Sequence, residues 1–203
     1  MKLNTPNRLT LLRIIFIPFF MIFLIYPVFG DNYIWSRIVS AALFIAASVT
    51  DFLDGHLARK HGLITNFGKF MDPLADKFLI FGALLAILVS DFAIFDGGII
   101  SREILFQSYL WSAIIVIFRE LAVTSMRLVV NSASGIVVAA SKLGKIKTTT
   151  QIVCVCSCIL EPVLLPFCGG IISLLSCMAM CVFTLWSGIE YFRAYWPYIK
   201  SDV

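Results

Sequence analysis

The chain has 203 residues, of which 60% are hydrophobic and only 14% charged, with a formal net charge of +4. Soluble domains carry about 25% charged residues, and a soluble fold of this size could not hide so much apolar surface. The composition, at a mean hydropathy of +0.96, excludes a soluble enzyme or binding module and indicates one integral membrane domain over residues 1–203, with no nucleic-acid partner.

The first element is "TPNRLTLLR", where Thr5 suits a helix cap and Pro6 the first turn. Leu9, Leu12 and Ile15 or Phe16 share one apolar face, with Arg8 and Arg13 off it. The pattern predicts a short juxtamembrane helix lying on the bilayer ahead of the first span. Runs of about 20 apolar residues cross a bilayer, and six such runs follow: Leu9–Tyr26, Tyr33–Ala58, Phe67–Phe92, Leu105–Val130, Ile146–Phe167 and Ile171–Phe192. All six are expected to be helices, because lipid leaves every backbone polar group to be paired within its own segment. The first run is read as retained, since "YPVFGDNY" rather than a small-residue cleavage site follows it.

Basic residues set the orientation. Arg59, Lys60, Lys69, Lys142 and Lys145 follow the second and fourth spans, and Lys2, Arg8, Arg193 and Lys200 lie near the chain ends. The other side has Arg37 and Arg102 beside Asp31, Asp91, Asp96 and Glu103. Both termini and the connection after the second span are therefore expected in the cytoplasm, in a multi-pass protein of the plasma or inner membrane. Tyr195, Trp196 and Tyr198 suit the same interface.

That connection is the chemically unusual stretch. "DFLDGHLARKHGLITNFGKFMDPLAD" runs from Asp51 to Asp76 and holds four aspartates between apolar runs. Asp51 and Asp54 are three apart, and Asp72 and Asp76 four apart, so each pair occupies one helix face. A short link makes the two helices antiparallel neighbours, and the four carboxylates can converge at one point. Four unpaired carboxylates in a bilayer could cost on the order of 10 kcal/mol. Lys77 and Arg59 are too few to neutralise them, whereas hard divalent cations take oxygen ligands and keep water or phosphate in their remaining positions. Four carboxylates suit two such metals, an arrangement that clamps phosphoryl groups. Gly55 and Ala58, each one turn beyond a motif aspartate, leave a slot along this face.

The spacing Asp51-x2-Asp54-Gly55-x2-Ala58-Arg59-x8-Gly68-x3-Asp72-x3-Asp76 resembles the signature of the CDP-alcohol phosphatidyltransferases, with eight fixed positions over 26 residues. The resemblance implies six transmembrane helices, a cytoplasm-facing cavity and a homodimer. It implies that Asp51, Asp54, Asp72 and Asp76 ligate two Mg²⁺ or Mn²⁺ ions, with Asp76 also the general base. It further implies that Asp51, Gly55, Ala58, Arg59 and Gly68, with Asn7 and Thr10 of the N-terminal motif, bind the CDP-lipid.

The motif does not name the acceptor alcohol, but a second cluster bears on it. Arg119 lies deep in the fourth apolar run, and Arg127 is two turns, about 12 Å, nearer the cytoplasm. Lys142, Lys145 and Lys147 follow in "SKLGKIKTTTQ". An arginine this deep needs an anion. Glu120, adjacent in sequence, is expected to point elsewhere, leaving a salt bridge to Glu190 or a motif aspartate as the structural alternative. As a set, the cations suit a phosphorylated acceptor such as glycerol 3-phosphate or inositol phosphate, rather than serine, choline or ethanolamine. "PNRLTLLR", "MDPLADK", "FREL", "GKIKTTTQ" and "SGIEYF" look like the bacterial phosphatidylglycerophosphate synthases, over nearly the whole chain. That likeness implies glycerol 3-phosphate as the acceptor of CDP-diacylglycerol's phosphatidyl group, with Arg119, Arg127, Lys142, Lys145 and Lys147 as its phosphate binders. Ser125 departs from the pattern, standing where relatives often carry glycine.

Three features receive plain readings. Cys154, Cys156 and Cys158 of "CVCSC" are expected to be small apolar packing, since positions i, i+2 and i+4 of one helix do not converge. His56 and His61 are expected to be interfacial polar residues, and Pro162 to kink the fifth span, with Glu161 beside it unexplained unless it sits in water. Two other classes compete with the transferase. A divalent-cation transporter is weakened by the clustering of the aspartates at one membrane face, and a non-catalytic lipid-binding protein by the presence of Asp76.

Overall fold

The computed structural model describes residues 5–30, 32–61, 66–90, 95–134 and 142–200. Among the described residues there are six long helices: α1 (Thr5–Ile25), α2 (Tyr33–His61), α3 (Asn66–Val89), α4 (Arg102–Ser134), α5 (Lys142–Leu164) and α6 (Ile171–Lys200). A single 3-10 turn at Pro166–Cys168 separates the last two, and no strand occurs among the described residues. The expected juxtamembrane helix is not a separate element. Nothing between Arg8 and Ile14 breaks the chain, so it forms the first turns of α1. The third run ends at Val89 rather than Phe92, which lies outside the described residues. The fifth ends at Leu164, because Pro166 begins the 3-10 turn.

Four helices, α1, α2, α5 and α6, are long and apolar enough to cross a membrane by length and composition. The first half of α3 carries Asp72, Asp76 and Lys77, and α4 carries Arg119, Glu120 and Arg127, which dilute both as spans. Neighbouring residues show how the charges are handled. Phe118 is 74% exposed, whereas Arg119 is 8% exposed. The apolar ring faces outward, as it should toward lipid, and the guanidinium faces the bundle, the usual placement of a charge at membrane depth.

In lipid the hydrophobic effect does not drive helices together, and close backbone approach at small residues takes its place. Helix α1 packs on α2 and α3, and α6 packs on α4 and α5. The core of the first group includes Ala41, Ala47, Ala83 and Ala86, all buried, around Phe20 and Phe44. Gly82 lets α3 approach α1, since a Cβ there would stand 3.2 Å from both Ile17 and Met21 side chains.

The end of the bundle remote from the motif accounts for two residues that sequence left open. Glu161 is buried rather than in water. Its carboxylate accepts hydrogen bonds from the backbone N–H groups of Gly170 (3.0 Å), Ile172 (3.2 Å) and Ser173 (2.6 Å), and from the Ser173 hydroxyl (2.5 Å). It thus satisfies the orphan donors that open α6 and complements the helix dipole there. Pro162 has no N–H for the carbonyl of Cys158 four residues back. Arg37 of α2 supplies the missing donor, its guanidinium reaching that carbonyl at 3.1 Å.

Candidate active site

Asp51 and Asp54 lie in the second half of α2, and Asp72 and Asp76 in the first half of α3. Asp51 is paired at 2.5 Å with Arg13 of α1, whose side chain is 0% exposed while that of Asp51 is 40% exposed. The ion pair is therefore one-sided: the guanidinium is sealed in the bundle and the carboxylate keeps an open face. Asp72 accepts a hydrogen bond from the Thr10 hydroxyl at 2.9 Å. Arg13 and Thr10 are three apart and share the α1 face turned toward both helices, where Asn7 is also buried. Ala75, between Asp72 and Asp76, is 0% exposed, so this part of α3 sits tightly against its neighbours while Asp72 and Asp76 stay partly exposed. Gly68 is buried at the start of α3. Positions 54, 55, 58 and 59 are described only as α2 backbone. The side chains of Asp54, Ala58 and Arg59 lie outside the described residues, as do those of His56 and His61.

Arg13 is the residue that sequence reading missed. It was placed off the apolar face of a helix lying in the interface. With α1 continuous, it falls a third of the way down a membrane span, where an arginine requires an anion. Its depth within an otherwise apolar run was the available signal.

The second cluster is built on α4, α5 and α6. Arg119 donates to Glu120 at 3.1 Å and to the Ser187 hydroxyl at 2.7 Å. Lys147 of α5 binds the same Glu120 oxygen. The expectation that Glu120 points away from Arg119 is therefore wrong. The two Cα–Cβ directions diverge, but the long arginine folds back across the helix surface, and one carboxylate joins two buried cations. Glu190, the partner considered instead, is exposed. Lys77 of α3 donates to the Thr124 hydroxyl at 2.5 Å, and Thr124 in turn donates to the Glu120 carbonyl at 2.7 Å. The "SGIEYF" segment of α6 forms the seat for Arg119. Ser187 anchors it, Gly188 makes room (a Cβ there would meet Arg119 Cγ at 3.1 Å), and Tyr191 lies 5.4 Å beneath the guanidinium. Arg127 lies over the same ring at 5.7 Å.

The expected cation set therefore divides. Arg119 and Lys147 are buried in the network, whereas Arg127, over the Tyr191 ring, and Lys145 are exposed. The side chain of Lys142 lies outside the described residues. The two clusters are linked along α3: Lys77, next to Asp76, donates to Thr124, which is bonded to Glu120 of the second cluster. Glu120, Ser187 and Tyr191 were not predicted, although each lay inside a quoted motif.

The donor chemistry of Asp51, Asp72 and Asp76 is oxygen only, which matches hard divalent ions. These three carboxylates do not form one tight trio. Among the described residues the only group of three with ligand atoms within 4.8 Å of one another is Cys154, Cys158 and Cys177.

The family model of the CDP-alcohol phosphatidyltransferases matches residues 3–186. A CDP-diacylglycerol–glycerol-3-phosphate 3-phosphatidyltransferase of Bacillus subtilis is 41% identical, over 98% of this chain and 98% of its own. An Escherichia coli protein of the same name is 34% identical over 96% of both chains. A probable phosphatidylglycerophosphate synthase of Mycobacterium tuberculosis is 38% identical over 75% of this chain and 64% of its own.

Proposed function

The chain belongs to the CDP-alcohol phosphatidyltransferase family, and from that premise we propose that it transfers the phosphatidyl group of CDP-diacylglycerol to glycerol 3-phosphate. The products are phosphatidylglycerophosphate and CMP. The observation that carries the reading is the junction of two unlike charge clusters. A carboxylate group oriented by α1 is linked, through Lys77 and Thr124, to a buried pair of cations held by Glu120. The first suits metal-bound pyrophosphate, and the second suits the phosphate of a charged acceptor.

Asp51, Asp54, Asp72 and Asp76 would hold two Mg²⁺ or Mn²⁺ ions. When bound, such ions supply positive charge against the pyrophosphate oxygens and the departing nucleotide. The chain's own residues do the rest. Arg13 fixes Asp51 from the sealed side and leaves its open face to a ligand; Thr10 does the same for Asp72. Gly55, Ala58, Arg59, Gly68 and Asn7 line the course of the nucleotide. Arg119 and Lys147, with Arg127, Lys142 and Lys145, bind the acceptor phosphate and bring its free hydroxyl to the reacting phosphorus. Asp76 accepts the hydroxyl proton as the oxygen attacks. The new P–O bond forms to glycerol 3-phosphate, the bond to CMP breaks, and CMP leaves. Positioning and charge complementarity provide most of the rate in phosphoryl transfer.

The same reading puts all six helices across the membrane, with the termini and the carboxylate end in the cytoplasm, where the soluble acceptor is found and CMP is released. It also takes the chain as a single domain that works as a homodimer. CMP release from CDP-diacylglycerol and Mg²⁺ with glycerol 3-phosphate, against a panel of other alcohols, tests the proposal; turnover with any other acceptor in preference would overturn it.

A further inference from the structure

Cys154 and Cys158 of α5 and Cys177 of α6 are all buried, at 0%, 4% and 1% exposure, and all unoxidised. Their sulfurs lie within 4.8 Å of one another, with Cys154 and Cys177 at 3.5 Å. Cys154 and Cys158 share a face at i, i+4, and the third thiol comes from a neighbouring helix, which a reading of α5 alone could not show. Ligands about 2.3 Å from a shared centre stand about 4 Å apart, so the three sulfurs are already spaced for one soft atom. Cys156, on the same helix, is not part of the group.

Charge decides which soft atom. Cys154 stands about 18 Å along α5 from Lys142, near the middle of a bilayer about 30 Å thick. A monovalent ion on three thiolates would leave a net charge of −2 there, and a divalent ion −1, each expensive to bury. A trivalent thiophilic centre leaves none. We propose that Cys154, Cys158 and Cys177 form a binding site for a trivalent thiophilic metalloid, As(III), which staples α5 to α6. Uncharged arsenous acid, As(OH)₃, would enter. Three As–O bonds are exchanged for three As–S bonds, and each thiol proton leaves with a hydroxyl as water. Arsenic stays trivalent, so no oxidant or reductant is needed, and the product As(SR)₃ is neutral.

The test uses the full-length protein in nanodiscs, reduced with a phosphine and titrated with arsenous acid, followed by intact mass and melting temperature. The expected adduct is one arsenic gained with three hydrogens lost, together with a higher melting temperature, since a ligand confined to the folded state stabilises it. A variant with Cys156, Cys168 and Cys181 all changed to Ser should form the same adduct. Cys177→Ser should not form it, retaining at most a hydroxyl-bearing two-thiol species with no rise in melting temperature. No adduct on the wild type, a two-thiol adduct only, or an unchanged adduct on Cys177→Ser would each overturn the proposal.

Discussion

Replacing Arg119 by alanine should separate acceptor binding from nucleotide-lipid binding. The guanidinium is held by Ser187 at 2.7 Å, by Glu120 at 3.1 Å and over Tyr191 at 5.4 Å. Truncation removes all three contacts but leaves Glu120 paired with Lys147, so no buried carboxylate is orphaned and the bundle should survive. A hydrogen bond to a charged group contributes about 1.5–3 kcal/mol, and 1.4 kcal/mol is a factor of ten, so the acceptor KM should rise about ten- to hundredfold. Arg119→Lys should fall between wild type and alanine, because an ammonium keeps the charge but lacks the planar fork that spans Ser187 and Glu120 together. The assay is CMP release, with glycerol 3-phosphate varied at saturating CDP-diacylglycerol and then the reverse, alongside a melting curve. An unchanged acceptor KM with a lowered melting temperature would make Arg119 a structural tie between α4 and α6 and refute the reasoning.

Asp76→Asn should lower turnover by about 10²–10⁴, the range of general-base catalysis, while CDP-lipid binding measured by calorimetry largely persists; equal loss of both would make Asp76 mainly a binding ligand. Arg13→Met removes the counter-charge of Asp51, so its melting temperature without divalent ions should fall, and added Mg²⁺ should recover more of it than in the wild type. An identical Mg²⁺ response in the two proteins would argue against a metal at Asp51. Glu161→Gln weakens four hydrogen bonds at the opening of α6 and should lower the melting temperature with no change in either KM, because it lies at the far end of α5 from Lys147.

Much of this was legible in the sequence, because the aspartate motif is local. Spacings of three and four place Asp51 with Asp54, and Asp72 with Asp76, on helix faces whatever the rest of the fold does. The apolar runs give the helices for the same reason, since lipid permits no other element. What sequence missed was contact between helices. Arg13 could be assigned to Asp51 only once α1 was known to run straight from Thr5 and to pack on α2. Cys177 joins Cys154 and Cys158 through the α5–α6 packing, and Arg37 finds the carbonyl freed by Pro162 from 121 residues away in the chain. Glu120 failed differently: helix geometry fixes where a Cβ points but not how far a long arginine can fold back to a neighbour.

The most direct test of the central claim is CMP release by the purified protein with CDP-diacylglycerol and Mg²⁺, supplied with either glycerol 3-phosphate or inositol phosphate. Turnover with glycerol 3-phosphate alone, abolished by chelation, is the predicted result. Turnover with inositol phosphate instead would keep the carboxylate site and overturn the acceptor, and silence with both would contradict the transferase itself.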